Sequence, residues 1–439
     1  MDLTTLRTAM LEGGVAIRSK TRLQPIGGQG DKVFPPTFGD LVRVKLADGS
    51  EHATRYAVET RRIDGEDTLC VLLDSVASQA NRLEEALQRA WDAGRVRFPM
   101  VRVDFTGETD DDPTLDLSTI GGDGFLTSLE APHRLADALI RDSTLDGTRF
   151  RASGPGREFT EASPHNATAV YRLSPNALTF GMWDSTGPKG GQGAKFQRAL
   201  VSEIVGVRVA LGRKTASRID PAGIELNAGP IYAASEEGEE WTTDEAMAEM
   251  KGGKPVKFSR KAKDTEAGRP SSINHGNIKP SIDSEAGGVT LDYAEQVTTL
   301  SFPVLNRLYF PRSVDGKALS GGAKDAAEAS ARVALAALAL AAIAFQREEG
   351  FDLRSRCAFV PEGPLALEVI GRDGSVSGPY SLSGDAAATL LADAAGAAEA
   401  AGMGWSAEPL DLRPAPMLVE LIRRSRRVAA KEDADEDAS

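Results

Sequence analysis

The chain has 439 residues, 41% of them hydrophobic, with 44 Gly, 23 Pro and two Cys. That length suits two or three ordinary domains, or one enlarged by insertions, and it supplies a core large enough to fold without disulfides or a structural metal. A formal net charge of -13 excludes polyanion binding over the whole surface and leaves only local contact.

The first hundred residues read as mixed α/β. Residues 15–23 (VAIRSKTRL) and 56–63 (YAVETRRI) pattern as strands, and 69–75 (LCVLLDS) as a short buried strand. Between the first two lies a Gly/Pro loop, 27–38 (GGQGDKVFPPTF). Residues 78–91 (SQANRLEEALQRAW) predict a helix capped by Ser78, with Leu83, Leu87 and Trp91 on one face. A strand over 97–105 follows, giving the strand–helix–strand order of helices packed on a sheet. Residues 107–124 read as loop, 132–141 as a short helix, 176–184 (NALTFGMWD) as a strand, and 187–193 as a Gly-rich loop leading into a strand over 199–211.

From 223 to 288 acidic, basic and Gly/Ser/Pro segments alternate, which predicts a long, partly mobile insertion. Regular pattern resumes at 289–302 and continues into an Ala-rich helix, 324–349. Its uncharged apolar run, 333–346, is 14 residues, short of the roughly 20 that span a bilayer, and predicts a buried helix. A strand pair (RCAFVPEG, LALEVIGRDG), a second Ala-rich helix over 385–401 and a disordered acidic tail over 431–439 complete the chain. The predicted divisions are 1–222, 223–288, 289–430 and the tail. Cys70 and Cys357 are expected to be buried hydrophobes in a reducing compartment, and the N-terminus has no secretory apolar core, so a cytoplasmic protein is expected.

Catalytic signatures are missing. GPKGGQGAKFQ and GRKT both fail the phosphate-loop pattern, and neither G-x-S-x-G nor H-E-x-x-H occurs. His52, His133, His165 and His275 are scattered singly. The expectation is a chain that is not an enzyme and uses no cofactor or metal.

What remains is positive charge in two islands. Residues 189–218 hold seven bases against Glu203, and 251–263 hold six bases and no acid. In the first, the glycines of 187–193 would let the main chain approach a phosphate, Lys189, Lys195 and Arg198 would supply charge, and Gln197, Thr215 and Ser217 would donate to phosphate or sugar oxygens. A solvated turn has the same composition. A second candidate is the SQANR helix start, where Gln79, Asn81 and Arg82 would join unpaired N–H groups at an anion site. The third, KGGKPVKFSRKAK, reads either as an arm interleaving bases with Phe258 or as a solvated loop offsetting the acids of 236–249.

Taken together, PIGGQGDKVFPPTF, LCVLLDSVASQANRLEEAL, PHNATAVYRLSPNALTFGMWDSTGPKGGQGAKFQRALVSEIVG and SRIDP resemble the backbone subunit of type I-U (also called I-G) CRISPR interference complexes, in the RAMP superfamily. The resemblance covers most of 15–225. It implies an α+β fold: an RRM-like, ferredoxin-like palm with large finger and thumb insertions. It also implies copies assembled head to tail along a guide RNA, which pairs with target DNA, beside a large subunit and a fused capping and RNA-processing subunit. Cutting would fall to a separately recruited helicase-nuclease, and no membrane would be involved. Lys32, Gln79, Asn81, Arg82, Lys189, Lys195, Gln197 and Arg198 would touch guide phosphates. Arg213, Lys214, Ser217 and Arg218 would follow, unless Arg218 and Asp220 form an internal ion pair. A rival reading within the superfamily is an endoribonuclease that processes precursor guide RNA, with His165 as general base.

Overall fold

The structure, a computed structural model, describes residues 1–45, 49–236, 238–259 and 267–438, with side chains through Ala429. Its main sheet is built from β1 (Gly14–Pro25), β2 (Val58–Ile63), β3 (Glu66–Asp74), β6 (Leu200–Val207), β9 (Tyr293–Ser301), β10 (Phe351–Arg354), β11 (Cys357–Pro361), β12 (Leu367–Gly371) and β13 (Val376–Tyr380). Two short ladders complete the strands used below: β4 (Met182–Trp183) with β5 (Lys195–Phe196), and β7 (Lys214–Arg218) with β8 (Ile278–Asp283). The helices that matter are α1 (Val76–Asp92), α2 (Asn176–Phe180), α3 (Gly321–Glu349), α4 (Gly384–Ala400) and α5 (Pro416–Ala438).

The sheet order is β10-β11-β1-β9-β6-β3-β2, with β12 sharing the outer edge of β1 with β11 and carrying β13 beyond it. All of these pairings are antiparallel. Stripped to β1, α1, β6, β9, α3 and the β11/β12 edge, the chain runs βαββαβ with strand order 4-1-3-2. That is the ferredoxin-like plan, and the fold is α+β. Three long excursions leave it: 26–75 between β1 and α1, which brings β2 and β3 to the far edge of the sheet, 93–199 between α1 and β6, and 208–292 between β6 and β9.

Helix α1 forms because Leu83 and Leu87 recur on a face that packs against the sheet and α3, both buried, with Trp91 half-buried beyond them. Its N-cap is Ser75, not Ser78: the Ser75 hydroxyl accepts from the Ser78 N–H at 3.2 Å. The SQANR segment therefore lies up to a turn further into the helix than the sequence reading places it. Helix α3 is buried along nearly its whole alanine run, and 89% of its most apolar stretch is covered by protein. It is a core helix, as its short uncharged run predicts. Small side chains let it approach α1 and α4 closely.

Three segments depart from expectation. Residues 176–184 are not a strand: α2 takes up Asn176–Phe180, Gly181 turns the chain at φ 83°, and only Met182–Trp183 are extended. All five α2 residues are buried, and a short apolar run buried on every side carries no period that separates helix from strand. The predicted strand pair over 356–374 exists as β11 and β12, but each pairs with β1 rather than with the other. The backbone of α5 is helical to Ala438, where a disordered tail over 431–439 is expected; its side chains there lie outside the described residues. Both cysteines are fully buried, and burial pushes the Cys357 thiol up to about 11.

Candidate nucleic-acid interface

The Gly-rich loop is the connection of the β4–β5 hairpin, in which Met182 faces Phe196 and Trp183 faces Lys195. Asp184 organises it. This carboxylate is buried (2% exposed) and accepts two hydrogen bonds from Arg151, at 2.6 and 2.8 Å. A Cβ on Gly187 would come within 2.3 Å of the Asp184 carboxylate, and one on Gly193 within 2.0 Å of its carbonyl. Those two glycines are there so that the loop can close on Asp184. Gly190 (φ 55°) and Gly191 face open space and leave main chain accessible.

A second buried pair anchors the base of the hairpin. Arg134 donates to both Glu84 carboxylate oxygens at 2.7 and 2.6 Å and to the Gly181 carbonyl at 2.9 Å. Asn176 completes the cage by donating to Glu84 at 2.9 Å. Burial pushes the Glu84 carboxyl up from its ordinary value, and the Arg134 charge opposes this. Each ion is satisfied by charge and hydrogen bonds, the condition under which a buried pair holds its geometry.

On this fixed base the cations stand outward. Lys195 is exposed beside Trp183, its Nζ 4.9 Å from the indole centroid. Arg198 is exposed, packs its stem against Gly181 and forms no ion pair among the described residues. Lys189 meets Glu161 at 2.6 Å with 43% and 66% of the side chains exposed, a pairing worth little in water and exchangeable for a phosphate. Gln197 is exposed and accepts from Arg307 at 3.0 Å.

The remaining nominees sit elsewhere. Strand β6, eight residues long and about 26 Å at about 3.3 Å per residue, separates the loop end from Lys32 and 213–218. There Lys32 donates to the Arg213 carbonyl at 2.7 Å, and Lys214 pairs with Asp283 at 3.1 Å. Arg213 and Ser217 are exposed. The alternative, an Arg218–Asp220 ion pair, does not form. Arg218 donates to the carbonyls of Gly276 and His275 at 3.0 and 2.6 Å, while Asp220 binds the Gly276 N–H at 2.8 Å and the His275 ring at 3.2 Å. Donation from Gly276, with more from Ala222 and His275, holds the Asp220 carboxyl down to about 2. Both residues fasten the turn at 275–276 instead of each other.

The α1 group divides. Asn81 is exposed, but Gln79 is fully buried in a network with Asp74, Ser202, Gln296 and Gln346. Arg82 is spent on Asp74 and on the carbonyls of Asp352 and Leu353. In the second basic island Phe258 is fully buried beside Ile231 and Ala233, so it is no side chain of a free arm; Lys251, Lys254 and Lys257 are exposed, and 260–263 lie outside the described residues. His165 is exposed and stacked on Tyr309, centroids 5.5 Å apart. No group of three or more candidate metal ligands occurs among the described residues.

The sequence reading missed the uncovered face of the sheet. Arg18, Lys20 and Arg22 alternate along β1 toward the side away from α1 and α3, in register with Thr299, Val297 and Glu295 of β9. The period-2 cations of RSKTR were the signal. Acids balance this face, with Arg18 on Glu368 at 2.6 Å and Arg61 on Glu203 at 2.9 Å, whereas Lys195 and Arg198 at the loop end form no ion pair among the described residues. Residues 17–211 match the model of a family described as CRISPR-associated protein GSU0053. The match takes in Lys32 and the whole Gly-rich loop and stops short of 213–218. No curated protein matches the chain.

Proposed function

From the match of residues 17–211 to a CRISPR-associated family, we propose that the chain is a guide-RNA-binding backbone subunit of a type I-U/I-G interference complex in the cytoplasm. The observation that carries this reading is the β4–β5 hairpin, where Lys189, Lys195 and Arg198 project from a loop that two buried ion pairs hold still. Exposed cations on an anchored loop suit phosphates, whose contact sets position without reading bases. Sequence is then read by pairing of the guide with target DNA. Head-to-tail copies are supported by two unlike uncovered surfaces: the open face of the sheet, and an α5 stripe of Met417, Leu421 and Val428 that is 75%, 60% and 49% exposed. Contacts between unlike surfaces do not close on themselves, so the array would run as far as the RNA. Large and capping subunits would end it, and cutting would belong to a separate helicase-nuclease. The chain itself is read as a binding subunit rather than a nuclease, with the exposed His165 ring stacked on Tyr309 as an aromatic surface.

The test is titration of labelled guide RNA with wild type and the Lys189→Ala/Lys195→Ala/Arg198→Ala variant at several salt concentrations. The log–log salt slope should become shallower by about 0.7 for each phosphate that the variant leaves unneutralised, with the fold intact. Equal affinity and equal slope would show that the loop is a solvated turn.

A further inference from the structure

Beside the hairpin lies a cleft of about 310 Å³ whose lining includes Pro164, Lys195, Phe196, Val304, Arg307 and Leu308. Its floor is apolar, since Phe196 and Leu308 are 4% exposed, while Lys195 and Arg307 bring charge to its edge. A phosphate site needs donors and has no use for such a floor. A flat heteroaromatic ring flanked by phosphates needs both.

Aromatic residues adjoin the residues that line this cleft. Trp183 is the cross-strand partner of the lining residue Lys195, and half of its surface (50%) is open to solvent. His165 and Tyr309 follow the lining residues Pro164 and Leu308 in sequence, and their rings stack at 19°. The Tyr309 N–H donates to the Pro164 carbonyl at 2.8 Å, and the Tyr309 carbonyl accepts from the Ala167 N–H at 2.9 Å, so the two segments are tied together. An indole left half in water next to a cation is poorly placed for stability and well placed to stack on a ligand.

We propose that this cleft holds one unstacked base of single-stranded RNA, with Trp183 as its stacking platform, Lys195 and Arg307 on the flanking phosphates, and the His165–Tyr309 pair as platform for a neighbouring base. The proposal rests on the reading of the hairpin as the RNA interface and adds what the phosphate contacts leave unexplained. Stacking tolerates any base, because every base has a π-face, so this binding remains indifferent to sequence.

The two kinds of contact separate by salt. Phosphate contacts set the salt slope, whereas stacking is insensitive to it. An unstructured RNA of guide length is titrated at several salt concentrations with wild type, Trp183→Ala and Trp183→Phe, following labelled RNA and the protein's tryptophan emission. Trp183→Ala should lose about 5- to 150-fold in affinity, the 1–3 kcal/mol per stacked base converted at 1.4 kcal/mol per tenfold, with an unchanged slope. Trp183→Phe should recover most of that affinity and lose the RNA-induced quenching expected of wild type. Equal affinity for wild type and Trp183→Ala overturns the base cleft alone. A slope that flattens with Trp183→Ala overturns it too, since Trp183 would then merely position Lys195. Wild type that binds no RNA at any salt overturns the interface itself and the cleft with it.

Discussion

The two ends of β6 carry similar amounts of charge and use it differently. At the Gly-rich end, the buried pairs Arg134–Glu84 and Arg151–Asp184 hold the backbone, and separate, exposed cations stand on top of them. At the other end three of the cations are themselves the fastening, with only the Arg213 side chain left exposed: Lys32 holds the Arg213 carbonyl, Lys214 holds Asp283, and Arg218 holds the 275–276 turn. Composition alone rates the two ends alike. Availability depends on whether some other group has already taken over the structural work.

The largest expected effect comes from breaking the anchor at the Gly-rich end. Glu84→Ala leaves Arg134 buried without its partner and should cost about 3–5 kcal/mol, read as a lower midpoint of denaturant unfolding. An unchanged midpoint would mean that the pair contributes nothing there. Asp184→Ala should cost a comparable amount, because it likewise strands a nearly buried guanidinium, that of Arg151. It should also open 185–193 to proteases, and continued resistance would count against Asp184 as the organiser of the loop.

At the other end the effects should be smaller and local. Arg218→Ala removes charge-assisted hydrogen bonds to two carbonyls, worth about 1.5–3 kcal/mol. It should speed proteolytic nicking of 219–277 while leaving RNA affinity unchanged. A large loss of affinity would show that Arg218 serves the interface after all. The smallest effect should be pH-dependent. Asp220 is held down to about 2 from an ordinary 3.8, so its stabilising contribution is whole above pH 3.8 and fades as the pH falls through about 2. Wild type and Asp220→Asn should differ in resistance to nicking near pH 5, and pepsin should find that difference gone near pH 2. A difference that persists there would assign the protection to some other group.

Much of the architecture was legible because it is periodic: alternation marks β1, the i, i+4 leucines mark α1, and alanine runs mark α3 and α4. Segment α2 was not legible, since burial on every side erases period. The Gly-rich loop was found for a reason that is only half right, as Gly187 and Gly193 pack on Asp184 and only Gly190 and Gly191 remain open. Gln79 and Arg82 failed as surface residues because polar side chains near the start of a helix look the same in sequence whether they face water or a buried Asp74. The rest of the network, Ser202, Gln296 and Gln346 around Gln79 and the Asp352 and Leu353 carbonyls on Arg82, comes from distant parts of the chain, and local sequence does not contain it.

Strand β1 has one further consequence, for how the chain is made. One edge of this strand pairs with β9, and the other is shared by β11 and β12. When residues 14–25 leave the ribosome, every strand they pair with is still untranslated. At 5–20 residues per second, the strand waits roughly 20–70 s before residue 371 has been added. Throughout that interval Ile17 and Leu23, fully or almost fully buried in the finished protein, stand open on an unpaired strand of a nascent chain. The stretch that carries the family pattern, 17–211, therefore cannot be lifted out as a self-sufficient module. Expressed alone it would hold β1 with both edges bare, and chaperones or aggregation would compete for what β9, β11 and β12 normally cover.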